Sequence, residues 1–257
     1  MKLPAPELSF DLSGQTAFVT GASSGLGLRF ARVLAASGAC VAIAARRLDR
    51  LVQITEELER TGARVLPLQL DVESVDDLPA AVGRVEEALG PVTILVNNAG
   101  VAPVQPATAV PLDLIDKTIA TNLRAPFVLS CEVARRLMER RLPGRIVNIA
   151  SMAAFRCDDG GISLYATTKA AVVRMTEVLA VEWSKFNINV NAIAPGAFHS
   201  EMMDSVLQHI PTFAQRFPRG RLGVPEQLDS TLLYLVSPSS DFVTGTCIKV
   251  DDVQLSR

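Results

Sequence analysis

The sequence predicts an α/β fold: one doubly wound parallel sheet of seven strands with helices on both faces. Three observations predict it. Short runs rich in Val, Ile and Ala alternate with longer segments of helical periodicity. The run Cys40 to Ala45 is almost wholly apolar, as a parallel strand covered on both faces must be. Hydrophobic residues make up 49% of the 257-residue chain and charged residues 20%, enough for a sizeable core and the opposite of a disordered composition.

In order along the chain, Thr16 to Thr20 is the first strand. A glycine-rich turn and a helix from Leu26 to Ser37 follow, and Gly38 closes that helix because it tolerates the left-handed conformation. Cys40 to Ala45 is the second strand, Leu48 to Arg60 a helix stopped by Thr61-Gly62, and Arg64 to Leu70 the third strand. Asp71 leads to a helix starting near Ser74. Strand Val92 to Val96, a long helical region from Leu112 to Arg141, and strand Arg145 to Ile149 continue the pattern. A helix from Leu164 to Phe186, strand Asn189 to Ala194, helix Pro225 to Val236 and a strand near Thr246 to Val250 complete it. No Pro/Gly/Ser-rich linker and no repeat divides the chain, so a single domain over 1–257 is expected.

Pro195 to Pro225 breaks the rhythm. A long excursion inside an α/β unit is usually functional, and a substrate lid over 195–222 is the reading; the alternative is a surface insertion. Met202, Met203, Val206, Leu207 and Ile210 form an amphipathic helix needing a surface to cover.

Lys plus Arg total 25 against 27 Asp plus Glu, a net charge of -2, so no broad field exists to collect nucleic acid or an anionic membrane. The longest apolar runs fall far short of the ~20 residues that span a bilayer. Cys40, Cys131, Cys157 and Cys247 are scattered, without a Cys-x-x-Cys pair, which points to small buried hydrophobes and away from a metal site or disulfides. Met1 to Gly14 contains Pro4, Pro6, Glu7 and Asp11 and does not look like a secretory signal, so a cytoplasmic location is expected.

Chemistry enters at the turn after the first strand. In Thr20-Gly21-Ala22-Ser23-Ser24-Gly25-Leu26-Gly27, Gly21 suits the tight turn, Gly25 lets backbone approach a pyrophosphate, and Gly27 allows close helix–strand packing. The following helix N-terminus offers free N–H groups to phosphate. Gly21 to Gly25 also spells G-x-S-x-G, the nucleophile elbow of hydrolases; that reading needs a later acid and histidine, and the chain has only His199 and His209.

Tyr165 and Lys169 stand four apart at a helix start and share a face. A phenol with pKa about 10 exchanges protons near neutrality only with help, and a neighbouring ammonium favours the phenolate. An exposed helical pair is the bland alternative. Ser151 follows the fifth strand and Asn97-Asn98-Ala99-Gly100 the fourth, so both reach the carboxyl edge where open α/β sheets bind ligands. Asn122 lies inside the long helical region, where a buried amide needs partners, and a structural role is as good a reading as a functional one.

Taken together, the glycine loop, Asn97-Asn98-Ala99-Gly100, Asn122, Ser151, Tyr165-x-x-x-Lys169 and Pro195-Gly196 resemble the short-chain dehydrogenase/reductase family, in order and from Leu12 onward. Within it the chain is similar to the 3-oxoacyl-carrier-protein reductases and related ketone reductases. The resemblance implies a Rossmann-like fold and a catalytic set of Asn122, Ser151, Tyr165 and Lys169. In it Tyr165 acts as general acid on a carbonyl oxygen, Lys169 lowers the phenol's pKa and holds the nicotinamide ribose, Ser151 hydrogen-bonds the substrate oxygen, and Asn122 anchors a relay water. It implies cofactor contacts from Gly21, Ser23, Ser24, Gly25, Leu26, Gly27, Arg46, Arg47, Asp71, Val72, Asn98, Ala99, Gly100, Tyr165, Lys169, Pro195 and Gly196, with Asp71 at the adenine position. Asp71 also suits helix capping. A small carbonyl or alcohol substrate and a homo-oligomer, tetramer or dimer, are expected.

The end of the second strand bears on the cofactor. An acidic residue there binds the adenosine ribose hydroxyls; here Ala45 takes that place beside Arg46 and Arg47, so NADP(H) is favoured and NAD(H) stays possible. Other readings remain: a non-catalytic redox-sensing regulator on the same fold, or an NAD-dependent alcohol, steroid or sugar dehydrogenase. Departures from the family are Asp158 and Asp159 before Tyr165, Ser200 where Thr often follows Pro-Gly, and Asp252-Val253 where relatives carry two glycines. The last puts the local turn in doubt.

Overall fold

The computed structural model describes residues 10–156 and 160–254. Its elements are β1 (Thr16–Thr20), α1 (Gly25–Ala36), β2 (Cys40–Ala45), α2 (Leu48–Glu59), β3 (Val65–Gln69), α3 (Asp77–Leu89), β4 (Ile94–Asn97) and α4 (Leu112–Ile119). They continue with α5 (Ala125–Arg140), β5 (Gly144–Ile149), α6 (Ser163–Trp183), β6 (Ile188–Pro195), α7 (Glu201–His209), α8 (Asp229–Val236) and β7 (Cys247–Val250). All seven strands form one parallel sheet in the order β3-β2-β1-β4-β5-β6-β7, the Rossmann-like arrangement expected.

Strand composition follows from double coverage. Along β1, Ala17 and Val19 pack with α1, α2 and α8 through Phe30, Leu34, Leu51, Leu58 and Leu232, whereas Phe18 packs on the other face with Leu78, Val82 and Leu129 of α3 and α5. Every β1 residue is buried, so the alternation that marks a half-exposed strand has no place here.

Three boundaries differ from the sequence reading, each for a local reason. The helical region after Leu112 is two helices joined by a π turn over Ala120–Arg124, where Ala125 N–H reaches back to the Ala120 carbonyl. Pro126 has no N–H to give the carbonyl of Asn122, and its ring would press on that carbonyl in a regular helix; the wider turn relieves the clash. Helix α3 starts at Asp77, not near Ser74, because the Asp71 carboxylate accepts the Glu73 N–H at 3.1 Å and holds a turn instead. Before α8, Pro225–Leu228 form a separate 3₁₀ turn.

The excursion after β6 carries α7, as its amphipathic pattern predicts, with Ser200 Oγ capping the helix by accepting Met203 N–H at 3.2 Å. Gln254 clamps the base of this excursion: its Oε1 accepts Ala197 N–H at 2.6 Å and its amide donates to the carbonyls of Ala197 and Arg221. The adjoining turn keeps a glycine-type backbone without glycines. Asp252 has φ 49° and Val253 φ 56°, a left-handed conformation that is strained for a β-branched residue. Asp252 pairs with Arg219 at 3.1 Å and Arg221 at 2.8 Å.

Cys40, Cys131 and Cys247 are free and partly buried. Among the described residues no helix is long and apolar enough to cross a membrane. Pro4, Pro6, Glu7, Cys157, Asp158 and Asp159 lie outside the described residues.

Candidate active site

The carboxyl ends of β1, β4, β5 and β6 meet on one edge of the sheet, on either side of the point where strand order reverses between β1 and β4. Gly21 (φ 65°) and Gly25 (φ 55°) adopt the left-handed conformation after β1. A Cβ on Gly27 would collide with the Gly21 carbonyl and the Asn98 amide, so only glycine lets α1 approach the loop this closely. Asn98 Nδ2 donates to the carbonyls of Thr20 at 3.0 Å and Gly21 at 3.1 Å, and Thr20 Oγ1 accepts the N–H groups of Asn98 and Ala99. Thr20, which the sequence reading placed at the strand end and the head of the glycine loop without a side-chain role, thus ties the β4 loop to the glycine loop. Ser24 stands at the α1 N-cap and makes no side-chain cap bond, which leaves first-turn N–H groups available to an anion.

Beneath β4, a buried polar chain aligns the site. Asn97 Nδ2 donates to Asn148 Oδ1 at 2.8 Å, and Asn148 Nδ2 donates to Thr176 Oγ1 of α6 at 2.9 Å. Asn122, 1% exposed, grips the loop after Gly100: Oδ1 accepts Val101 N–H at 2.9 Å, and Nδ2 donates to Val101 O at 2.8 Å and Thr168 Oγ1 at 3.1 Å. Its side chain is fully used in holding structure.

Helix α6 carries Tyr165 and Lys169 against this edge. Lys169 Nζ donates to the Ile149 carbonyl at 2.8 Å and stands 5.7 Å from the centre of the Tyr165 ring. A Cβ on Gly100 would lie 3.5 Å from that Nζ and 3.4 Å from Asn122 Oδ1, so Gly100 keeps the space in front of both open. Ser151 Oγ accepts the Ala153 N–H at 3.1 Å. Asn122, Ser151, Tyr165 and Lys169 are therefore gathered at one place.

The electrostatics differ from the expectation that an ammonium pulls the phenol down. Burial pushes the Tyr165 phenol above its usual range, with Ser151 opposing through a hydrogen bond. Burial also lowers Lys169 to about 8. In the dinucleotide-free chain the phenol is held protonated, the form a general acid needs.

On the other side of the glycine loop, Asp71, Arg46, Gln69, Leu70, Asp77 and Arg84 line a cavity of about 460 Å³. Val72 packs partly on the core nearby, and Pro195 and Gly196 close β6, where a Cβ on Gly196 would meet the Gln254 side chain. Arg47 turns to the loop itself, donating to Ser23 Oγ at 3.0 Å and Ser24 Oγ at 3.1 Å. Neither hydroxyl is bonded to a histidine among the described residues, which leaves the hydrolase reading without its base. The glycine cradle, the open N-terminus of α1 and this polar cavity with Arg46 in its lining fit a nicotinamide dinucleotide along its length. Sequence reasoning missed Glu201 and Arg50, which complete the Arg47 cluster; no motif links residues so far apart.

Comparison with known proteins agrees with this geometry. The family model described as short chain dehydrogenase matches residues 15–211. The chain is 35% identical to 2-dehydro-3-deoxy-D-gluconate 5-dehydrogenase of Escherichia coli (strain K12), covering 97% of this chain and 98% of the relative. It is 34% identical to gluconate 5-dehydrogenase of Gluconobacter oxydans (strain 621H), covering 96% of each. A short chain dehydrogenase from Burkholderia cenocepacia J2315, solved in complex with NADP, superposes with a TM-score of 0.88 at 34% identity, over 94% of this chain and 98% of that one. With fold, motif order and site geometry in agreement, the chain belongs to the short-chain dehydrogenase/reductase family and is an oxidoreductase.

Proposed function

We propose that this enzyme interconverts a secondary alcohol and a ketone on a polyhydroxylated acid of the sugar-acid class, with NADP(H) as cofactor and NAD(H) also accepted. The convergence of Ser151, Tyr165 and Lys169 at the sheet edge carries the reaction type. The names of the gluconate-type relatives support the substrate class and move the reading away from the acyl thioesters that the motifs alone suggest.

Gly21 to Gly27, Asn98 to Gly100, Asp71, Val72, Arg46, Arg47, Pro195 and Gly196 would hold the dinucleotide, which when bound supplies or accepts the hydride. Tyr165 donates its proton to the carbonyl oxygen in reduction and recovers it in oxidation. Ser151 orients that oxygen, and Lys169 recharges the phenol while hydrogen-bonded to Ile149. Asn122 acts through position, by fixing the Val101 backbone. The 195–222 excursion closes over the edge as a lid, and Arg46 faces the adenosine side. Exposed Val178 and Val181 on α6 and Phe242 support a homo-oligomer, which light scattering tests.

The experiment is a panel of gluconate-type hydroxy acids and their keto acids, polyols, cyclic ketones and β-ketoacyl thioesters, followed by nicotinamide absorbance with both cofactors. Sugar acids giving the highest kcat/KM supports the reading; thioesters or simple ketones leading the panel overturns it.

A further inference from the structure

The carboxylate of Glu201, at the start of α7, sits in a nest of donors from the far side of the sheet edge. Arg47 donates to it at 2.9 Å through Nη2 and 3.3 Å through Nη1, Arg50 at 2.6 Å, and Ser24 Oγ at 3.0 Å. Arg47 is simultaneously bonded to Ser23 and Ser24. A planar guanidinium fork, a second cation and a hydroxyl converging on one anion make a phosphate site in chemistry, and here a carboxylate of the same chain fills it.

Two contacts hold Glu201 there. Ser200 caps α7 through Met203 N–H. A Cβ built on Gly25 would lie 3.3 Å from Ser200 Cβ, so the excursion lies directly on the glycine loop. The cations and Ser24, Arg47 foremost, keep the carboxyl below its usual range, so it is ionised at neutrality.

We propose that Glu201 is a cofactor-specificity residue that works against a 2′-phosphate and for an unphosphorylated adenosine ribose. The inference rests on the reading that the glycine loop and the Arg46-Arg47 segment face the adenosine end of the dinucleotide. A 2′-phosphate and the Glu201 carboxylate compete for Arg47, Arg50 and the loop hydroxyls, and like charges repel at that range. An acid near the ribose hydroxyls does what the residue ending the second strand does in NAD-dependent relatives of this fold, a place taken here by Ala45. The acid arrives from the excursion instead. Arg46 makes no ion pair among the described residues and remains available to phosphate. The pair Arg46 and Glu201 thus sets how far each cofactor is accepted.

The test measures dissociation constants for NADPH and NADH by calorimetry on the intact protein and on Glu201→Gln and Glu201→Ala. The ratio of NADH to NADPH dissociation constants is expected to rise roughly three- to fivefold in both variants, the upper scale of a partly exposed ion pair. Arg47→Ala added to Glu201→Gln should cancel the gain. A ratio unchanged within about twofold, a fall, or an equal tightening of both cofactors from a loosened excursion overturns the proposal. A wild-type preference for NADH with the variants shifting toward NADPH upholds the role of Glu201 while the NADP(H) reading falls. A wild-type preference for NADPH with an unmoved ratio does the reverse, and binding of neither cofactor overturns both.

Discussion

Lys169 donates its ammonium to the carbonyl of Ile149 at 2.8 Å, across a strand end that carries Ser151 two residues later. One bond therefore fixes α6 to β5 and sets Tyr165 and Ser151 in register.

Burial leaves that ammonium titrating at about 8, against 10.5 for an ordinary lysine. Folding disfavours the charged form, so below about 8 the cost of burying the charge is present in full. Stability should rise with pH between about 8 and 10.5, where the unfolded chain binds the extra proton. Urea midpoints of the dinucleotide-free protein and of Lys169→Met, compared across that window, check it. A stability difference that stays constant with pH contradicts the assignment.

In the proposed reaction Tyr165 is the proton donor. Tyr165→Phe should lower kcat by roughly 10²–10⁴-fold while leaving the cofactor dissociation constant within about twofold. Because burial raises the phenol, reduction should be fastest at neutral or lower pH and oxidation should climb into the alkaline range. Stopped-flow and calorimetry read the two parts separately, and near-wild-type turnover by the phenylalanine variant would remove Tyr165 from the mechanism.

Asn122 spends its amide on the Val101 backbone and Thr168. Asn122→Ala strands those groups in a buried setting and should destabilise by about 1–3 kcal/mol. Thermal unfolding measures the loss. Turnover should fall with it, since the Gly100 loop faces Lys169.

Val253 offers the opposite case. At φ 56° and with its side chain exposed, it bears strain that a glycine would not. Val253→Gly should stabilise by about 1 kcal/mol, the scale of a left-handed β-branched residue less the extra freedom of the unfolded chain. A lower unfolding midpoint would show that the side chain holds the turn.

At Gly27, where a Cβ would meet the Gly21 carbonyl and Asn98, alanine should cost about 1–3 kcal/mol by overpacking. It should also weaken binding of both nicotinamide cofactors. Unfolding midpoints and cofactor titration check the two effects.

The sequence by itself determined the seven strands, the parallel sheet and the gathering of Asn122, Ser151, Tyr165 and Lys169, because each rests on local pattern: apolar runs, glycines at turns, and motifs at strand ends. The π turn at Asn122 was also within reach, through Pro126. Tertiary structure alone decided the rest. The protonation states of Tyr165 and Lys169 depend on how deeply α6 is buried, which spacing does not encode. Arg47 reads from sequence as a cation for the cofactor, yet it meets Glu201 from 154 residues away. Electrostatics act through space, and only the folded chain brings that carboxylate to the glycine loop.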